Sequence, residues 1–203
     1  MSKILLSLDM STSCTGWALF YIDSRQLFEH GLIKPSTKGG VAKMDYPKQQ
    51  LTKMRDIAAQ IFNLIQNYKP HAIVIEEIAG SKNRMGQKTL DGLYFIVADA
   101  IDVYLPIVRY YDVTGSAGWR THLGLRLSDA DKLANKEAKK LNKKLATSQR
   151  LPVIGPKHLA CRFANATLGT QLNFDISETD GDLADAISMG YAFLKYRFAD
   201  LPK

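Results

Sequence analysis

The chain has 203 residues, 46% of them hydrophobic and 23% charged, with a formal net charge of +7 and a pI near 9.3. That is enough for one domain with a real core, and the composition is that of a soluble globular protein. No segment approaches the ~20 apolar residues of a membrane span. The first apolar run is too short for a secretion signal. Two cysteines, Cys14 and Cys161, make neither a disulfide framework nor a paired metal-ligand spacing, which fits a reducing, cytoplasmic compartment. The positive excess points to an anionic partner, nucleic acid first. Solubility alone is the competing reading, and the uneven placement of the basic residues favours the partner.

Ile4, Leu5, Leu6 and Leu8 form a short apolar run that stops on Asp9, before a small polar turn, Ser11 to Gly16. This reads as a strand delivering a carboxylate to a cleft beside a hairpin. Trp17–Ile22 and Leu27–Ile33 continue it as a three-stranded antiparallel meander. From Gln49 to Asn67, Leu51, Met54, Ile57, Ala58, Ile61, Phe62 and Ile65 share one helical face, closed by Pro70. His71–Ile75 is a nearly unbroken apolar run, as in a central strand, and it ends on Glu76 and Glu77. A basic loop over 81–88 carries Lys82, Arg84 and Lys88, which are assigned to DNA binding. The helix expected over 89–104 is apolar on most sides, so it is either deeply buried or shared with a partner subunit.

Pro106–Val113 reads as a fifth strand, and the segment after it carries Trp119, a core anchor, and Arg120, a phosphate-binding candidate. Residues 129–150 form a basic helical insertion. Lys132, Lys136, Lys139, Lys140 and Lys143 fall on one stripe, with Ala134, Ala138, Leu141 and Leu145 roughly opposite. The spacing predicts an amphipathic helix with a cationic outer face. Such a run is usually just a solvated face. Its excess over Asp129, Asp131 and Glu137 favours DNA, with Lys136, Lys140 and Lys143 as contacts. Helices over about 157–168 and 180–198 complete an α/β domain spanning 1–203, with a mixed central sheet of five strands and helices on both faces. The histidines at 30, 71, 122 and 158 show no ligand spacing and read as structural or surface residues, and Cys14 as a small buried filler.

Asp182 and Asp185, three apart, share a helix face that continues through Ala186, Met189 and Phe193. If the strands ending on Asp9 and Glu76 are neighbours, both acids emerge at one sheet edge, and the last helix can bring its pair there. Each acid alone has a structural reading. Asp9 suits a turn, and Asp182 and Asp185 complement a helix N-terminus. Asp185, however, lies on the apolar face, where an unpaired charge is expensive. Glu76 and Glu77 point to opposite sides of a strand, so at most one enters the cluster; Glu76 is preferred and Glu77 is the alternative. Four carboxylates held together repel, and hard divalent cations such as Mg²⁺ resolve this with oxygen ligands and substrate phosphate.

Three stretches, LSLDMSTSCTGWALF, AIVIEE and DGDLADAISMG, together resemble the RuvC family of Holliday junction resolvases in the RNase H-like superfamily. The resemblance follows the element order over nearly the whole chain, with identity concentrated in those stretches. The long basic insertion places the phage-encoded branch nearest. The resemblance implies an RNase H-like fold and the family's four catalytic, metal-binding acids at Asp9, Glu76, Asp182 and Asp185. It implies Mg²⁺ or Mn²⁺ as cofactor. It also implies a homodimer through helix 89–104 that cuts opposed strands of four-way junctions and related branched DNA, in a bacterial or phage-infected cytoplasm. Lys157 falls where the family has a basic residue near the scissile phosphate. Ile78 and Ala79 stand where bacterial members carry an aromatic wedge. Two other classes compete: an actin-like ATPase or sugar kinase, whose phosphate loop DMSTSCTG would fit, and a non-catalytic DNA-binding protein.

Overall fold

The apolar run near the N-terminus forms β1 (Ile4–Asp9), and the next two segments form β2 (Thr15–Tyr21) and β3 (Gln26–Ile33). The computed structural model describes residues 2–36, 44–76, 84–104, 109–113, 116–173 and 180–196. In it these strands make the antiparallel meander, β2 pairing with both β1 and β3. α1 (Lys48–Tyr68) returns the chain so that β4 (Ala72–Glu76) runs parallel to β1. α2 (Arg84–Tyr104) does the same for β5 (Arg109–Val113) beside β4. The strand order is β3-β2-β1-β4-β5. Four helices follow: α3 (Ser116–His122), α4 (Asp129–Asn142), α5 (Pro156–Leu168) and α6 (Gly181–Tyr196).

The sheet is covered on both sides, and the pleat sorts its side chains. Leu6, Leu8, Leu19, Ile73 and Ile75 pack with Ile57, Ile61 and Ile65 of α1 and Leu93, Val97 and Ile101 of α2. Leu5, Ala18, Phe20, Ala72 and Val74 pack on the other face with Trp119, Cys161, Leu183, Ile187 and Phe193 from α3, α5 and α6. Alternate residues of a strand share a face, so Ser7 and Asp9 follow Leu5 onto the α6 side, and Glu76 follows Ala72 and Val74.

α6 lies close on that face because small residues meet there. Ser7 Oγ donates to the Ala186 carbonyl at 2.7 Å. A Cβ on Gly190 would stand 2.6 Å from the Phe20 ring and 2.8 Å from Ser7 Cβ. A Cβ on Gly16 would overlap the Asp182 carbonyl oxygen. Gly16 is opposite Asp9 in the β1–β2 register, so the same contact that seats the first turn of α6 brings its acids to the end of β1.

Two sequence expectations change in detail. The basic loop expected over 81–88 gives way to helix at Arg84. Gln87 Nε2 donates to Asp91 Oδ1 at 2.8 Å, the i, i+4 pairing that a helix allows. The basic helix is α4, ending at Asn142, but it does not dock by an apolar face. Leu133 and Leu141 are 58% and 51% exposed, while Asp131 and Asn135 are buried. Asn135 pairs through its amide with both the N–H and the carbonyl of Ile154, at 2.8 and 2.9 Å. Asn142 does the same with Leu151 at 2.6 and 2.7 Å. Asp131 completes a capping box with Ser128 and takes both bonds from Arg162 Nη1. Asparagine amides offer a donor and an acceptor side by side, so they hold a returning backbone as a strand neighbour would.

Gly16→Ala should be destabilising by ~1–3 kcal/mol, because the added methyl meets rigid backbone rather than a side chain that can yield. Urea unfolding of the two proteins measures it, and equal midpoints would show that α6 is not seated on Gly16.

Candidate active site

β1 and β4 are neighbours, as the site requires. Leu8 pairs with Ile75 in the parallel register, so Asp9 and Glu76, the next residue of each strand, end side by side on the α6 face. Glu77 lies outside the described residues. α6 contributes Asp182 from its first turn and Asp185 from its second. Asp9 feels the charges of Asp185, Glu76 and Asp182. The four acids therefore lie within electrostatic reach of one another at the end of two strands.

Two cations and one indole hold three of these acids. Lys157, at the start of α5, donates to Asp182 Oδ1. Arg120 of α3 bonds Asp185 Oδ2 at 2.6 Å, with the Arg120 side chain only 17% exposed and that of Asp185 4%. The guanidinium also lies 4.4 Å over the Trp119 ring. Trp119, itself buried, donates from Nε1 to Glu76 Oε1 at 2.8 Å. Adjacent residues of one short helix thus grip acids from two different elements. Arg120, expected as a phosphate ligand, is paired with Asp185 in the DNA-free chain. Trp119 is core, as expected, and it also orients a carboxylate. Cys14 is half-buried rather than buried; burial and the charge of the nearby Asp182 raise its thiol above its ordinary value.

The compensation is incomplete. Burial, then the charges of Asp185, Glu76 and Asp182, push Asp9 up to about 8, with Lys157 opposing. Burial also pushes Asp185 up to about 6, although Arg120 works to lower it. Burial works to lower Lys157, but its bond to Asp182 and the charges of the acids outweigh that and raise it. Asp185 Oδ1 is buried with no hydrogen-bond partner among the described residues. An orphaned carboxylate oxygen amid uncompensated negative charge is what a hard, oxygen-seeking divalent cation satisfies, so the donor set fits one. Among the described residues no three such side chains already converge as a finished cage. The resident ion pairs draw Asp182 toward Lys157 and Asp185 toward Arg120.

The other expected DNA contacts belong to other elements or lie outside the described residues. Lys136, Lys140 and Lys143 line one groove with Lys132 and Lys139 on α4. Lys88 is exposed on α2, Arg84 opens that helix, and Lys82, Ile78 and Ala79 lie outside the described residues. On α2, Phe95 and Ile96 are exposed. No helix among the described residues is long and apolar enough to cross a membrane. The buried Ser7 and the glycine at 16, which seat α6, were not singled out from the sequence; a serine inside an apolar run was the available signal.

No sequence-family profile and no curated protein matches the chain. Solved structures do. Thermus thermophilus RuvC in complex with a Holliday junction substrate superposes with a TM-score of 0.58 at 12% identity, covering 96% of this chain and 94% of that one. Thermus thermophilus RuvC by itself gives 0.56 at 12%, covering 97% and 96%. The yeast mitochondrial Holliday junction resolvase gives 0.51 at 12%, covering 96% and 80%. The chain has the RuvC-type, RNase H-like fold.

A raised acid binds its proton in the folded state where the unfolded chain has released it. Stability of the metal-free protein should therefore fall as pH climbs from about 4 toward about 8, with Asp9 dominating and Asp185 adding in the same sense. Thermal unfolding in EDTA across this range should show a falling Tm. Asp9→Asn should remove most of the slope and melt several degrees above the parent at the alkaline end. A parent profile flat in pH would contradict the burial of that charge.

Proposed function

We propose that this protein is a metal-dependent endonuclease that resolves four-way junctions and related branched DNA by phosphodiester hydrolysis. The observation that carries this reading is the convergence of Asp9, Glu76, Asp182 and Asp185 on one sheet end, in a fold shared with structures of junction resolvases. Asp9, Glu76, Asp182 and Asp185 would hold Mg²⁺ or Mn²⁺. When bound, such ions polarise a phosphate and make a bound water nucleophilic near neutral pH, singly or as a pair.

The chain's own residues have separable tasks. Asp9 and Asp185, held above the ordinary carboxylate range, give up protons as cations enter, so metal loading should strengthen with rising pH. Trp119 fixes Glu76 in orientation through the indole N–H. Lys157, half-exposed beside Asp182, supplies positive charge at the rim for the scissile phosphate. The α4 lysines would track the backbone of an arm leaving the site, a contact to phosphate that carries no sequence information. The exposed Phe95 and Ile96 of α2 support a two-fold dimer, whose symmetry suits paired cuts in opposed strands.

Asp9→Asn should lower Mg²⁺-dependent cleavage of a labelled four-way junction on the order of 10³-fold, the scale of losing one strong electrostatic contact to the transition state. Junction binding in a gel shift should persist. Full cleavage by Asp9→Asn would refute the nuclease reading.

Replacing Lys136, Lys140 and Lys143 together with Gln should flatten the dependence of log K on log salt by roughly one unit per lysine. Titrations at several salt concentrations measure this. An unchanged slope would return α4 to being a solvated face.

A further inference from the structure

Four acids face two cations in the site, so with all of them ionised the patch carries two surplus negative charges. One divalent ion neutralises that surplus. A second would leave the patch net positive, which favours the release of a resident cation. Lys157 is half-exposed on one side of the patch. Arg120 is the tighter of the two: it is largely buried, bonded at 2.6 Å to a carboxylate that is itself buried, and stacked on Trp119. It holds Asp185 through Oδ2, so a cation that took both oxygens of that carboxylate would meet it. Asp185 Oδ1 and Arg120 Nε both lack partners among the described residues. The pair is thus joined by one good bond rather than by the two-bond fork that guanidinium and carboxylate make when fully matched. It is a contact built to hold without being saturated.

We infer that Arg120 is the stand-in cation of this site, a positioning residue that competes with divalent metal for Asp185 and is released onto substrate phosphate when metal loads. This rests on the nuclease reading above and extends it to the order of events. In the free protein Arg120 keeps Asp185 ionised and in place. Metal loading on the free protein has to displace the guanidinium, and DNA phosphate, by drawing it away, removes that cost. Premature loading on free protein is thereby restrained. The Trp119 indole, under the guanidinium and bonded to Glu76, senses the exchange from the side.

The test is a calorimetric titration of Mg²⁺ into the full chain without DNA. Arg120→Gln should bind Mg²⁺ about tenfold more tightly than the parent, the equivalent of one charged hydrogen bond no longer displaced. Arg120→Lys, which keeps a cation there, should bind like the parent. At saturating Mg²⁺, Arg120→Gln should cleave a junction more slowly than the parent. A residue with only a structural role would weaken both metal binding and cleavage. Tighter metal binding with slower cleavage is specific to exchange.

A second measurement covers the case in which Arg120→Gln fails to fold. The chain has two tryptophans, so Trp17→Phe leaves Trp119 as the sole emitter. Its emission should change along the Mg²⁺ binding isotherm as the cation leaves the ring. Equal or weaker Mg²⁺ binding by folded Arg120→Gln, or Trp119 emission that stays constant while calorimetry shows Mg²⁺ binding, would overturn the inference. If the parent binds and cleaves normally under either result, only the exchange fails. If the parent neither binds Mg²⁺ nor cleaves, the nuclease reading falls with it.

Discussion

The close seating of α6 on the sheet is the constraint on which the site depends. A helix carrying two acids cannot approach a strand carrying a third unless packing elsewhere opposes the repulsion. The opposition comes from apolar burial along Leu183, Ile187, Met189 and Phe193, and the approach is made short by residues with almost no side chain. Gly190 lies over Phe20 and Ser7, and Gly16 touches the backbone at Asp182. The serine at 7 would be a liability in a fully buried strand, but it spends its hydroxyl on the Ala186 carbonyl. Polar groups in the core are tolerated when satisfied, and this one also fixes the rotation of α6 about its axis.

That seating creates an electrostatic problem, which α3 and α5 solve in part. Lys157 and Arg120 come from helices on the same face, so the elements that cover the core also supply the counter-charge. α3 is only seven residues long, yet two adjacent side chains reach two acids. Arg120 stacks on Trp119, so the ring buttresses the guanidinium while the indole N–H anchors Glu76. A fully compensated cluster would be stable and inert. This one leaves Asp9 and Asp185 above their ordinary range, which is a reservoir of unfavourable charge that a bound cation would relieve.

Much of this was legible in the chain. The apolar runs ending on acids, the one-faced periodicity over Met54, Ile57, Ile61 and Ile65, and the i, i+3 pair on the last helix all rest on local rules of spacing. The choice between Glu76 and Glu77 was harder. β4 is buried on both faces, so its run AIVIE shows no alternation from which to read the pleat. Only its pairing with β1 shows that Glu76 shares a face with Asp9. Trp119 and Arg120 were visible as residues, but their partners lie 43 and 65 positions away along the chain, a distance at which local pattern carries no information. Gly16 reads locally as part of a turn, whereas its role is tertiary.

The basic helix shows where periodicity misleads. An apolar stripe opposite a lysine stripe normally marks the buried side, and on α4 it does not: the buried positions are Asp131 and Asn135. The reason is what α4 packs against. Its neighbour is the returning segment 151–154, an irregular backbone whose N–H and carbonyl groups need partners, and leucines cannot supply them. Asn135 and Asn142, seven residues apart and so two turns along one side of the helix, pair with Ile154 and Leu151 in the manner of an antiparallel ladder. Docking by amides fixes the helix in register, and the bidentate hold of Arg162 on Asp131 ties it to α5. α5 also carries Lys157, so the helix that holds α4 through Arg162 is the one that sets a cation against Asp182.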